Sequence, residues 1–116
     1  MKALITIAGA GLLLASQAVF AAGNIEAGKA AAEKFNCASC HGKDFQSPID
    51  PAYPKLAGQH RDYLAQALKA YQRGDKGPNG RANAIMGGQA KALSAADIEN
   101  IAAYLHSLPG TLVLQK

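Results

Sequence analysis

Two cysteines and a histidine fall within five consecutive residues, Cys37-Ala38-Ser39-Cys40-His41, and this spacing constrains the fold more than any other stretch of the chain. The pattern Cys-x-x-Cys-His is the attachment signature of c-type haem. Its two thiols are spaced to add across the two vinyl groups of one haem, and the imidazole that follows then lies over the iron. We therefore expect a fold built around a single covalently attached haem c.

Other uses of a Cys-x-x-Cys pair fit this chain less well. Disulfide oxidoreductases place the pair in a βαβ context, which this Gly- and Ala-rich chain lacks. A structural zinc site needs four ligands, and the remaining candidates, His60 and His106, have no zinc-like spacing. A simple disulfide between Cys37 and Cys40 is the main alternative that stays open.

The N-terminal segment predicts export. A positively charged start is followed by an uncharged, largely apolar run over residues 3–15, which is too short to span a bilayer as a helix. Val19 and Ala21 are small residues at the positions that a signal peptidase reads. We predict a signal peptide over residues 1–21, an uncleaved anchor being the alternative, and a single domain over residues 22–116. Because c-type haem is attached outside the bacterial cytoplasm, we expect a periplasmic protein without a membrane span.

The charge balance favours a protein partner over nucleic acid. The chain has 12 Lys and Arg against 8 Asp and Glu, and loss of Lys2 with the signal peptide leaves 11 against 8, a net charge of +3. There is no basic stripe with interleaved aromatic residues, so we expect no nucleic-acid binding. We expect redox partners to dock electrostatically at the haem edge, and a monomer or weak dimer. The basic residues near the expected haem contacts are Lys43, Lys55, Lys76, Arg81 and Lys91.

Apolar residues recur at helical spacing, and no stretch shows the alternation of a strand, so the sequence predicts an all-α fold of three to four helices around the haem. The first helix is predicted over residues 25–35, with Asn24 as its N-cap. The second is predicted over residues 61–73 and ends at Gly74. Residues 42–59 contain three prolines and no periodicity, and we expect them to form an ordered loop.

The last helix is predicted to begin after Ser94, which forms a capping box with Asp97, and to end before Pro109. The glycine-rich residues 74–90 are expected to form a flexible loop. Met86 lies in this stretch and is the only methionine outside the predicted signal peptide. If the iron takes a thioether as its sixth ligand, Met86 must supply it; the alternative is a methionine that fills a gap in the core.

Two segments are expected to supply further haem contacts. The carbonyl of Pro54 can accept the second ring N–H of His41 and so orient the imidazole, although Pro54 also suits a simple turn. Leu56 lies in the same segment as Pro54. Arg81 and Asn83 lie in the segment that contains the candidate methionine, and they complete the predicted set of cofactor-binding residues.

The chain resembles the class I c-type cytochromes over its whole predicted mature length, most specifically at residues 37–42, around Met86 and over residues 93–105. Residues 53–59, Tyr-Pro-Lys-Leu-Ala-Gly-Gln, are similar to the small bacterial periplasmic cytochromes of the c4 and c553 group. In two respects the chain departs from its relatives. Many relatives have a proline beside the ligand methionine, whereas residues 87–88 are glycines, and only one Cys-x-x-Cys-His motif is present, unlike in the diheme members.

The resemblance implies a cytochrome c fold in which the N- and C-terminal helices cross near Gly28 and Tyr104. It also implies His41 and Met86 as the two axial ligands of the iron. With both positions filled, the predicted function is that of a soluble one-electron carrier between respiratory or photosynthetic partners, and not an enzyme. One alternative is a gas-binding, sensory or peroxidase-like haem protein with a labile methionine, in which His60 is the only plausible distal base. Another is the electron-entry subunit of a larger oxidoreductase.

Overall fold

The computed structural model describes residues 23–112, and within this range the chain forms five α-helices and no strand. The helices are α1 (Ile25–Lys34), α2 (Ala38–His41), α3 (Arg61–Arg73), α4 (Ala84–Lys91) and α5 (Ala95–Ser107). The all-α prediction is therefore confirmed, with more helices than the three to four expected. The predicted signal peptide lies outside the described residues. Between residues 23 and 112, no helix combines the length and the apolar character needed to cross a membrane.

The first and last long helices cross at very short range, as expected. Gly28 is buried, and a Cβ at this position would clash with the Asn100 carbonyl and lie 2.7 Å from Cβ of Tyr104. Only glycine allows the two backbones to approach this closely. The side-chain oxygen of Asn100 also accepts a hydrogen bond of 2.8 Å from the backbone N–H of Asn24. The crossing of α1 and α5 near Gly28 and Tyr104 is thus confirmed.

The core lies between this helix pair and α3, which packs against both α5 and α4. An ion pair of 2.7 Å between Lys69 and Glu99 links α3 to α5 at the surface. The buried cluster is mostly aliphatic and consists of Ala31, Ala32, Phe45, Ala57, Leu64, Ala65, Leu93, Ile98, Ile101, Ala102 and Leu105.

The helix ends follow local chemistry. The side chain of Asn24 accepts from the backbone N–H of Ala27 at 2.9 Å, so the predicted N-cap of α1 is present. Ser94 and Asp97 form the predicted capping box, with hydrogen bonds of 3.0 and 2.9 Å between side chain and backbone in the two directions. Helix α3 has the predicted bounds and ends at Gly74, whose φ of 60° lies in the left-handed region.

The prediction of a flexible loop over residues 74–90 is wrong for its second half, because α4 covers residues 84–91. The side chain of Asn83 caps this helix by accepting from the backbone N–H of Met86 at 2.8 Å. Glycines at positions 87 and 88 disfavour a helix, but packing against α3 outweighs this local preference. The candidate methionine therefore lies in a helix and not in a loop.

The predicted ordered loop over residues 42–59 is confirmed, since it contains no helix or strand and folds back on itself. The buried Phe45 anchors it: its carbonyl accepts from the backbone N–H groups of Leu56, at 2.8 Å, and Ala57, at 3.1 Å. The side chain of Asp44 accepts from the backbone N–H groups of Gln46 and the following serine, at 2.9 and 3.0 Å. These bonds close the loop on itself, and the Ile49 backbone N–H attaches it to α2 by donating to the Cys40 carbonyl at 3.0 Å.

Candidate functional site

A cleft with an apolar floor opens among α2, the 42–59 loop, α3, α4 and α5. It consists of two cavities of about 160 and 120 Å³. The residues shared by both cavities are His41, Leu56, Leu68, Met86 and Leu105. We call these two cavities together the central cleft. The candidate iron ligands, which are far apart in sequence, are thus brought to one cavity system.

The two thiols of the signature motif line one of these cavities. Cys37 precedes α2 and Cys40 lies within it, and both line the cavity of about 120 Å³. Both cysteines are free, so the disulfide alternative is not formed here. Burial raises the pKa of the Cys37 thiol. The structure therefore presents two neighbouring thiols to the same cavity as the histidine.

His41 is the only buried polar or charged side chain among residues 23–112, with 6% of its surface exposed. Its Nδ1 lies 3.0 Å from the carbonyl oxygen of Pro54, so the predicted contact between these two residues is present. A carbonyl can only accept, and Nδ1 must therefore carry the proton. That tautomer leaves the lone pair of Nε2 free, and no hydrogen bond within the described part of the chain occupies it. His41 thus has an oriented ring with one available nitrogen.

A glycine ends α2 and lets the loop turn back over the histidine. Gly42 has φ of 87°, in the left-handed region. A Cβ at this position would also clash with the Ser47 carbonyl. Both the backbone conformation and the close approach therefore require glycine, and together they bring the 42–59 loop close enough for Pro54 to reach His41.

Met86 is supplied by a different element, α4, and is half-buried. Asn83, predicted to contact the cofactor, lines neither cavity of the central cleft; its side chain caps α4 at the Met86 backbone N–H. Leu68 and Leu105 are not in the predicted set of cofactor-binding residues, yet both line the cleft. Periodicity identifies such faces but does not show which residues on them border a cavity.

The polar edge of the cleft is built around Arg81. Its guanidinium carbon lies 5.6 Å from the ring centre of Tyr63 and 5.5 Å from that of Tyr71. Its Nη2 also donates a hydrogen bond of 3.2 Å to the Tyr63 hydroxyl. Stacking between two aromatic rings holds a guanidinium in place and leaves its charge intact. Arg81 therefore places a fixed positive charge at the cleft.

Of the five basic residues expected at the haem edge, only Lys55 and Arg81 line the central cleft. Lys43 lines a separate groove beside Phe45, and Lys76 and Lys91 line neither cavity of the cleft. All five side chains are exposed. Fewer basic side chains therefore line the cleft than the sequence predicted.

The residues of the cleft fit haem c. Two thiols, one imidazole with a free nitrogen and one thioether share a cavity system whose other walls are mainly aliphatic. No Asp or Glu lines either cavity, while Lys55 and Arg81 can face the two carboxylates of a haem. His60, the distal base of the peroxidase alternative, is exposed and lines neither cavity.

Comparisons with known proteins agree with this fit. The sequence model of the family described as "Cytochrome c" matches residues 25–109. Cytochrome c-554(548) of Halomonas halodenitrificans is 46% identical over 72 residues, which cover 61% of this chain and 82% of the relative. The thiosulfate dehydrogenase electron acceptor of Thiomonas intermedia is 38% identical over 76 residues, covering 66% of this chain and 33% of the relative.

A solved structure shows the same fold. The crystal structure of reduced cytochrome c4 from Pseudomonas stutzeri superposes with a TM-score of 0.67 at 38% sequence identity, covering 78% of this chain and 48% of that one. The chain thus spans most of its Halomonas relative and half or less of the other two. The family match includes the cysteines, the histidine and the methionine that meet in the central cleft. The chain therefore belongs to the cytochrome c family, carries covalently bound haem c and transfers electrons.

Proposed function

We propose that this protein is a one-electron carrier of the bacterial periplasm in which His41 and Met86 are the two axial ligands of the haem iron. The observation that carries the proposal is the shared cavity system lined by Cys37, Cys40, His41 and Met86. Bound haem c supplies a one-electron Fe(II)/Fe(III) couple. With both axial positions taken by side chains, the protein offers no coordination site to a substrate.

Each protein group has a definite task in this proposal. The Pro54 carbonyl holds the Nδ1 proton of His41 and so fixes the direction of Nε2. The thioether of Met86 is a ligand that favours the reduced iron and raises the potential. Leucine side chains at positions 56, 68 and 105 keep water out of the cleft. A low-polarity surrounding of this kind further favours the reduced state, which carries less charge.

The proposed compartment rests on the N-terminal segment and on the thiols. A signal peptide over residues 1–21, cleaved after Ala21, would deliver the chain to the periplasm. Two thiols as close as Cys37 and Cys40 would otherwise form a disulfide in that oxidising compartment. Attachment of haem prevents this. Mass spectrometry of the mature protein tests both points, since it reports the N-terminal residue and the added mass of one haem.

The spectrum of the reduced, periplasmically matured protein, with and without carbon monoxide, tests the axial ligands. An unchanged low-spin spectrum supports coordination by Met86, because the sixth position is then filled. Prompt formation of a carbon monoxide adduct would contradict it and favour a gas-binding protein. A strongly negative potential in potentiometry would also contradict the His/Met ligand set. The absence of any haem spectrum after competent maturation would overturn the proposal at Cys37 and Cys40.

We further propose that partners dock over Lys55 and Arg81 by means of an acidic patch. These two cations are exposed and line the cleft, so they would steer an acidic surface toward the haem edge. The Thiomonas relative, named as the electron acceptor of thiosulfate dehydrogenase, supports a dehydrogenase as one class of donor. Rates with such partners should fall as salt increases.

Charged inorganic oxidants test this edge without the natural partner. Lys55→Glu should slow oxidation by anionic ferricyanide by up to about tenfold at low ionic strength and accelerate oxidation by a cationic cobalt complex. Lys76→Glu is the matched control, because it makes the same charge change at an exposed lysine that lines neither cavity of the cleft. Equal effects of the two variants would show that net charge, and not the cleft edge, controls the rate.

A further inference from the structure

Helix α4, which carries Met86, is poorly stabilised by its own sequence. It comprises only eight residues, Ala84–Lys91, and contains two adjacent glycines, Gly87 and Gly88. Isolated helices shorter than about 12 residues are marginal in water, and interior glycines weaken them further. Contacts with the rest of the fold must therefore hold α4, and with it the thioether.

The contact at the start of α4 is local. Asn83 immediately precedes the helix and accepts from the Met86 backbone N–H, so it stabilises the first turn without attaching it to another element. The backbone of α4 runs close to α3 at Gly87, where a Cβ would lie 3.8 Å from the Tyr71 carbonyl oxygen. This approach allows the two helices to pack together but supplies no hydrogen bond between them.

The tie between α3 and the end of α4 is Gln72. Its side-chain nitrogen donates to the Ala90 carbonyl at 2.9 Å and to the Leu93 carbonyl at 3.0 Å. A primary amide has two N–H donors, so one side chain can serve both acceptors. Ala90 lies in the last turn of α4, and Leu93 directly precedes Ser94, the N-cap of α5. Gln72 therefore joins α3 to the end of α4 and to the beginning of α5.

We propose that Gln72 is a positioning residue for the Met86 thioether, a role that rests on the axial ligation proposed above. Gln72 lines neither cavity of the central cleft, so it acts only through α4. It holds the helix four residues beyond Met86, about one turn away. Release at Ala90 leaves the hydrogen bond before the helix, from the Arg81 backbone N–H to the Ala70 carbonyl at 2.9 Å, so the C-terminal end of α4 can move away from α3. The strength of the two Gln72 hydrogen bonds then determines how often Met86 leaves the sixth position of the iron open.

Gln72→Leu tests the proposal, because it keeps a side chain of similar size and removes both donors. Carbon monoxide should bind the reduced holoprotein about tenfold faster, since two net hydrogen bonds are lost. Hydrogen exchange of the α4 amides should accelerate by a similar factor. The matched control is Lys69→Leu, which lies nearly one turn earlier on α3 and removes a tie to α5 at Glu99 instead. This control should leave both readouts near wild type.

A second variant, Gln72→Glu, provides an independent test if the leucine variant matures poorly. An ionised carboxylate cannot donate, whereas a protonated one donates a single hydrogen bond. Carbon monoxide binding should therefore be fast at neutral pH and slow toward the wild-type rate as the pH falls. Equal changes in Lys69→Leu and Gln72→Leu, or a Gln72→Glu variant without this pH dependence, would overturn the positioning role. Prompt carbon monoxide binding by the wild type would instead refute the axial ligation itself, which is a separate and recognisable result.

Discussion

The two sides of the central cleft hold their key side chains in very different ways. On the His41 side, residues 37–59, the imidazole is buried and its ring is anchored to the Pro54 carbonyl. On the Met86 side, residues 74–91, the thioether side chain is half-buried and lies on a short helix with two glycines. The comparison teaches that one cleft can combine a side chain fixed by a hydrogen bond with one whose position depends on the packing of a weak helix. The Met86 side should therefore set how easily the iron opens.

Hydrogen bonds attach the His41 side to α5 and to the residues that follow this helix. The backbone N–H of Gly58 donates to the Leu105 carbonyl of α5 at 3.0 Å. The side chain of Gln46 donates to the Pro109 carbonyl at 2.6 Å. The Met86 side packs mainly against α3, and it is tied to that helix by the side chain of Gln72 and by the Arg81 backbone N–H, which donates to the Ala70 carbonyl at 2.9 Å. The hydrogen bonds of the Met86 side thus reach α3, whereas the Gly58 bond of the His41 side reaches α5 in the main core.

Loss of each proposed ligand should show the largest difference between the two sides. His41→Ala should reduce the yield of holoprotein more than about tenfold, because it removes the buried imidazole that contacts the Pro54 carbonyl and is the proposed iron ligand. Met86→Ala should still mature, bind carbon monoxide at once and have a potential lower by on the order of 0.1 V. Haem-stained yield and potentiometry measure these effects. Equal yields of the two variants would contradict the idea that the fold depends more on His41 than on Met86.

Removal of a helix cap should separate local from global stability. Asn83→Ala removes the N-cap of α4 and should lower the stability of this helix by about 1 kcal/mol. Carbon monoxide should then bind faster, while the unfolding midpoint of the whole protein should change little. Ser94→Ala removes the cap of α5 and should lower the unfolding midpoint instead, because α5 packs against α1 and α3. Denaturant unfolding and ligand kinetics distinguish the two. If Asn83→Ala lowered the midpoint as much as Ser94→Ala, α4 would not be an independent unit.

A substitution that stabilises α4 should reduce the difference between the His41 side and the Met86 side of the cleft. A Cβ at Gly88 meets no atom within 4 Å, so Gly88→Ala should stabilise the helix by about 0.5–1 kcal/mol and slow carbon monoxide binding. Gly28→Ala is the control with opposite sign, because its Cβ would clash with the Asn100 carbonyl where α1 crosses α5. Stopped-flow and thermal unfolding provide the readouts. Faster carbon monoxide binding in Gly88→Ala would contradict a helix limited by its glycines.

Acid should weaken the His41 side by a small amount. Hydrogen bonds from the Gln46 backbone N–H, and then from Ser47, lower the pKa of Asp44 in the 42–59 loop. A lowered pKa in the folded state contributes stability above about pH 4, and this contribution is lost as the pH falls through the folded value. Asp44→Asn retains an acceptor and does not titrate. Its unfolding midpoint should fall less than that of the wild type between about pH 4 and pH 2. Parallel profiles would show that Asp44 carries no such role.

Much of the site could be predicted from sequence because its signals are short-range. The five residues from Cys37 to His41 hold all the groups proposed for haem attachment and one proposed ligand, so no tertiary information is needed to recognise the motif. The caps at Asn24 and Ser94 are equally local, since donor and acceptor are three residues apart. The Pro54 contact could be predicted only as one of two alternatives, since a ligand histidine needs an acceptor for its second N–H but a proline also suits a simple turn.

The state of residues 84–91 could not be predicted in the same way. Two glycines and little periodicity predict a loop, and only packing against α3 makes the segment helical. The role of Asn83 changed for the same reason, since a residue expected at the cofactor is the N-cap of a helix that sequence did not reveal. Gln72 carried no signal at all, because its acceptors are backbone carbonyls 18 and 21 residues away.

By itself, the sequence determined the cofactor, the residues proposed for its attachment and for one axial ligand, and the N-caps of α1 and α5, because each depends on groups within a few residues of one another. Only the tertiary structure decided that α4 is a helix, that Met86 and His41 share a cleft, and that Gln72 ties α4 in place. These features depend on which distant segments meet. That outcome depends on the packing of α1, α3 and α5 into one core, which local sequence patterns do not contain.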